Sequence, residues 1–121
     1  MPLWVSLGHK DAEKTRVEEF VDASSIGIHG NIRQAWWTTV LPAHTLRDRH
    51  TNAGPWLSAY AYHDLFNCAD GTARSIARKI QYDDGHSANA PASPESKGWH
   101  ALLPDSTGEL AMKFVCSWQQ K

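Results

Sequence analysis

Cysteine is scarce in this 121-residue sequence. Cys68 and Cys116 are the two present, and they do not stand as Cys-x-x-Cys. That excludes a thioredoxin-like redox pair and a zinc ribbon. Their spacing leaves two readings open, a disulfide and two buried free thiols. Runs of one charge are also missing. The formal net charge is −1, and acidic and basic residues alternate along the chain. Nothing resembles an electrostatic footprint for nucleic acid or anionic lipid. The one local basic cluster, Arg47-Asp48-Arg49-His50, reads as a solvated loop. No segment approaches the roughly 20 apolar residues of a spanning helix, so no transmembrane segment is expected. Met1-Pro2-Leu3-Trp4 lacks the basic and apolar regions of a signal peptide. Either the protein is cytosolic, or a signal peptide has been removed ahead of Met1.

Catalytic motifs are absent as well. There is no Gly-x-Ser-x-Gly elbow and no glycine-rich phosphate loop, and Ser24, Ser25 and Ser58 read as ordinary turn or strand residues. Seven histidines are present, but none has metal-binding spacing; His44 and His50 flank a loop and stand nearest to meeting. A Cys68–His63 dyad would need a free thiolate and an orienting group. Glu18 and Glu19 are adjacent on a strand and point to opposite faces, so they cannot share a proton. Asp83-Asp84 precedes Gly85 and reads as turn chemistry. The expectation is a protein that is not an enzyme and takes no cofactor or metal.

What is present is a run of alternating segments. Residues 3–7 and 17–22 read as strands, with 10–16 as an exposed hairpin connection. Asp22-Ala23-Ser24-Ser25-Ile26 reads as a turn or one helical turn capped by Asp22. Residues 31–41 form the clearest strand, with Ile32, Trp36 and Val40 on one parity and Arg33, Ala35, Trp37 and Thr39 on the other. Residues 42–55 read as a long loop. Residues 56–66 and 72–82 read as a hairpin about the Cys68-Ala69-Asp70-Gly71 turn. Residues 86–97 read as a second loop, pinned to the core by Trp99 and Leu102-Leu103. The last element is a helix. Ser106-Thr107-Gly108-Glu109 has capping-box spacing, and Leu110, Ala111, Phe114, Val115 and Trp118 make its apolar stripe.

Strands first and helix last predict an α+β fold of one domain over residues 1–121. Its antiparallel sheet would have about five or six strands, with the C-terminal helix packed on one face. The six tryptophans are the unusual feature. Core packing accounts for most of them. The functional alternative is an exposed aromatic patch in which Trp37 or Trp56 joins Tyr60 or Tyr62.

The order of these pieces resembles the surface-adhesin protein E-like family of Gram-negative bacteria. The likeness begins with the early Trp4 strand and with Phe20-Val21-Asp22-Ala23-Ser24-Ser25-Ile26, then an aromatic strand at residues 32–37. Ser58, Phe66-Asn67-Cys68, Arg74 and Tyr82 follow. Trp99-His100-Ala101-Leu102-Leu103-Pro104-Asp105-Ser106 leads into a helix ending Val115-Cys116. Asn67 departs from the family, which has an acidic residue there, and so does the loop at 42–55.

The resemblance implies export, Met1 standing where a signal peptide has been removed, and a Cys68–Cys116 disulfide that persists in an oxidising compartment. Some relatives bind host matrix proteins such as vitronectin and laminin. The expected function is therefore a non-enzymatic binding module of the periplasm, outer-membrane surface or extracellular space. It would hold a host matrix or envelope protein and exist as a monomer or weak dimer. The alternative is a structural or assembly component of the cell envelope. The expected site residues are Trp37, Trp56, Tyr60 and Tyr62.

Overall fold

The fold is taken from a computed structural model, which describes residues 2–12, 15–42, 55–90 and 94–119. Among these residues, eight antiparallel strands make one sheet. They are β1 (Trp4–Ala12), β2 (Thr15–Asp22), β3 (Gly27–His29), β4 (Ile32–Val40), β5 (Leu57–Asn67), β6 (Thr72–Tyr82), β7 (Ser87–Ala90) and β8 (His100–Ala101). The order across the sheet is β1-β2-β4-β5-β6-β7; β3 also pairs with β4, and β8 with β6. A helical turn at Pro94–Lys97 (α1) precedes β8, and the chain's long helix, α2, spans Thr107–Ser117.

Side chains alternate across the sheet with a period of two, so register decides which face each residue joins. Val21, Trp37, Tyr62 and Arg78 stand opposite one another across four strands, and so make one row on one face. Phe20, Thr38, Ala61 and Lys79 make the neighbouring row on the other face. The first face carries the core. Val21, Ala35 and Phe66 are fully buried against Ala111 and Val115 of α2. The two small α2 residues let the helix approach the sheet closely.

Both ends of α2 are held by side chains. At its start Ser106 Oγ accepts from Glu109 N–H (3.2 Å), while Glu109 Oε1 accepts from Asp105 N–H (3.1 Å). The returning carboxylate thus reaches one residue further back than a capping box requires. At its end the Arg33 guanidinium Nη1 donates to Val115 O (2.8 Å) and Trp118 O (2.7 Å). A β4 cation thereby adds a charged donor to the carbonyls of Val115, which also accepts from Trp118 N–H, and of Trp118, at the negative end of the helix dipole. Cys68, in the turn after β5, is bonded to Cys116 of α2 as the resemblance implied. Asn67 keeps the turn role of an acid: its Oδ1 accepts from Ala69 N–H (3.1 Å) and Asp70 N–H (3.2 Å).

The expected fold class holds, with more strands than expected. The predicted turn at Asp22 is a one-turn 3₁₀ helix, Ala23–Ser25, capped by the Asp22 side chain. The expected hairpin connection at 10–16 is largely strand, since β1 and β2 stay paired out to Ala12↔Thr15. A register shift in β1 between Ser6 and Gly8 is absorbed by Gly8, whose φ of +100° suits glycine. The expected second loop contains β7, α1 and the approach to β8; β7 forms because β6 offers it an open edge. Leu102 packs against the core, but Leu103 is 75% exposed and Trp99 is exposed too, so Leu102 alone of those three does the pinning. Of the expected loop at 42–55, residues 43–54 lie outside the described residues. With them go His44, His50 and the cluster from Arg47 to His50. Among the described residues no helix is long and apolar enough to cross a membrane.

Candidate functional site: an open sheet face

The face opposite α2 departs from the usual pattern of an antiparallel sheet, in which the uncovered side is polar. Here its central positions are apolar or small, and they enclose a groove of about 520 Å³. The floor is Thr38 and Val40 of β4 with Ala59 and Ala61 of β5. Trp36 closes one end, and Trp4 and Phe20 stand at the β1–β2 side. Lys79 and Gln81, successive outward residues of β6, form the opposite rim.

Trp36 is held in place on its own face. Its ring stacks on His63 (centroids 4.9 Å apart), and Lys79 Nζ lies 5.7 Å from the indole centroid. His63 Nε2 is 3.2 Å from Gln34 Oε1. Burial pushes the His63 imidazole below its ordinary pKa, against the opposing pull of Asp64, so the stacked ring is neutral at physiological pH.

Asp22 reaches the groove from β2, but its charge is committed locally. Oδ1 accepts from Leu3 N–H (2.8 Å), Ser24 N–H (3.1 Å) and Ser24 Oγ–H (2.6 Å). Burial acts to raise its pKa, yet these donors together outweigh burial and hold the carboxyl below the usual range.

The four residues expected from the sequence fall elsewhere. Trp37, Tyr60 and Tyr62 come together on the α2 side: the Trp37 and Tyr62 rings stack at 4.4 Å, and Tyr60 and Tyr62 lie 6.4 Å apart. Trp37 is only 5% exposed and belongs to the core, so its ring cannot head an exposed patch. Trp56 stands at the start of β5, where its N–H donates to Asp83 Oδ1 and its carbonyl accepts from Asp83 N–H. The sequence alone does not mark Trp36, Phe20 and Trp4 as one group, although the shared parity of Trp36 and Val40 carries a signal.

Behind Trp37 lies a buried carboxylate. Asp64 Oδ2 accepts from Trp37 Nε1–H at 2.9 Å, and the residue is 7% exposed. Burial pushes this carboxyl above its ordinary range, against the Trp37 and Ser75 hydrogen bonds and the His100 and His63 side chains. A carboxyl whose folded pKa is raised binds its proton more tightly folded than unfolded. Stability therefore falls as pH rises from the ordinary value toward the raised one, and the loss is complete above it. Asp64→Asn keeps an acceptor for Trp37 and removes the buried charge, its amide nitrogen taking the place of Oδ1, which has no hydrogen-bond partner among the described residues. The variant is expected to melt higher than the parent at pH 7, with the gap closing near pH 4. Thermal melts at the two values check this; a lower melting temperature at pH 7 would show that the charge is well compensated.

An antiparallel sheet with one face closed by a disulfide-tied helix, and the other apolar and covered by no helix among the described residues, defines a small α+β scaffold that presents a sheet surface. The chain belongs to the surface-adhesin protein E family, whose model matches residues 4–117. A surface-adhesin-like role, and an exported or surface location, go with that membership. No curated protein matches the chain.

Proposed function

We propose that this protein is a non-enzymatic, adhesin-like binding module of the periplasm or cell surface, and that it holds a host matrix or envelope protein on its open sheet face. The observation that carries this reading is the groove around Trp36, an apolar concavity on the side of the sheet that α2 leaves uncovered. Apolar and small residues lining a concavity that no helix among the described residues covers give a binding surface its main driving force. Tryptophan ranks first among residues that dominate such surfaces. Family membership supports a surface role, and the disulfide fits an oxidising compartment.

The test is binding of the oxidised protein to immobilised vitronectin and laminin, with Trp36→Ala beside the parent. Trp36 lies outside the core cluster, so the variant is expected to fold, as circular dichroism would verify. An anchor tryptophan is worth about 2 kcal/mol or more, so affinity should fall by about thirtyfold or more. Unchanged binding by a folded variant would remove the groove from the account, and failure of the parent to bind either protein would remove the matrix ligand.

A further inference from the structure

The groove is not electrically uniform, and its asymmetry indicates which partners it selects. Among the described residues two charged side chains line it, Asp22 on β2 and Lys79 on β6. They are three strand spacings apart across the sheet and two residues apart along it, about 16 Å. The Asp22 charge is taken up by three donors and the residue is buried. Lys79 is exposed, and its ammonium group extends over the Trp36 ring at the groove rim. Gln81, two residues on, brings an amide donor to the same rim. Glu18 is exposed on this face but does not line the groove. The lining therefore offers an incoming group apolar surface on the floor and positive, donating character along β6.

We propose that the groove selects protein segments in which a bulky apolar side chain stands beside a carboxylate. The apolar group seats on the floor made by Thr38, Ala59 and Ala61, and the carboxylate reaches Lys79 and Gln81 at the β6 rim. This inference rests on the open face being the binding surface and adds the chemistry of what binds there. Small floor residues between a tryptophan end wall and aromatic flanks leave room for one large side chain, and the cation beside that space favours an acid over a base.

The experiment uses the full oxidised chain and two synthetic peptides with the same leucine and phenylalanine stripe, one flanked by glutamate and the other by lysine. Binding is read by tryptophan fluorescence at low and high salt, with laurate as a third probe. The parent is expected to prefer the acidic peptide by about threefold at low salt, the preference fading as salt screens it. Lys79→Glu, at an exposed position, should reverse the order, and Trp36→Ala should weaken both peptides together. Equal binding of the two peptides, with Trp36→Ala still weakening both, would overturn the proposed partner chemistry while keeping the groove. Indifference to Trp36→Ala would overturn the groove itself. Binding of laurate without either peptide would overturn a protein segment as the occupant.

Discussion

Trp37→Ala is expected to be the most damaging single substitution in this protein, costing about 3–5 kcal/mol. Trp37 is 5% exposed, stacks on Tyr62 and packs among Val21, Ala35 and Phe66 in the core. Its removal leaves a cavity that the flanking strands cannot close, because their register is fixed by pairs on both sides. It also strips Asp64 of the indole N–H that supports its buried carboxylate. A domain of this size has a total stability of roughly 5–15 kcal/mol, so the loss takes a large share of it. Urea melts of Trp37→Ala and Trp36→Ala make the comparison. The midpoint should collapse for the first and move far less for the second. Equal shifts for the two neighbours would mean that the faces of β4 are wrongly assigned.

The second large effect concerns the disulfide. Cys68 and Cys116 are 48 residues apart in sequence, and the bond ties the turn after β5 to α2. In the chain-entropy account, a closure of that length stabilises by about 4 kcal/mol through restriction of the unfolded chain. Replacing both cysteines with alanine is expected to approach that loss, and reduction of the parent should match the double variant. The helix is the element with most to lose. It covers the core face, and its other ties include the Arg33 clamp and the packing of Ala111, Val115, Met112 and Phe114. Urea unfolding with and without reductant measures the effect. Coincident midpoints would show that packing alone fixes α2 on the sheet.

The parts of the fold legible in the sequence are those whose periodicity runs long enough to read. The alternation of β4 placed Trp36 and Trp37 on opposite faces. The hairpin of β5 and β6 followed from the Asp70-Gly71 turn, where Gly71 has a φ of +71°. The caps at Asp22 and Ser106 were visible because short polar side chains before a helical turn have few other uses. The strands that went unread are the short ones. β3 has three residues, β7 four and β8 two, and alternation cannot be recognised over such lengths. They exist because β4 and β6 are long enough to pair with more than one partner along an edge.

The groove proposed as the binding surface and the expected Trp37 lie on opposite faces of β4, for a related reason. Parity separates the two tryptophans of β4 but does not say which side the helix will cover. That choice is made by residues scattered across several elements: Val21, Ala35, Phe66 and Ala73 on one side, and Phe20, Thr38, Ala59 and Ala61 on the other. Arg33, on the parity of Trp37, was a usable clue, because its reach to the end of α2 marks the covered face. Only the paired register shows that the smaller residues line up across β4 and β5 to make a concavity.

Hydroxyl-radical footprinting of the oxidised protein, alone and bound to vitronectin or laminin, tests the open face most directly. The prediction is that Trp4, Phe20 and Trp36 are oxidised readily in the free protein and become protected together in the complex, while Trp99 stays reactive and Trp37 is inert in both. Protection confined to other residues, with Trp36 equally reactive in free and bound protein, would contradict the assignment of the open sheet face as the binding surface.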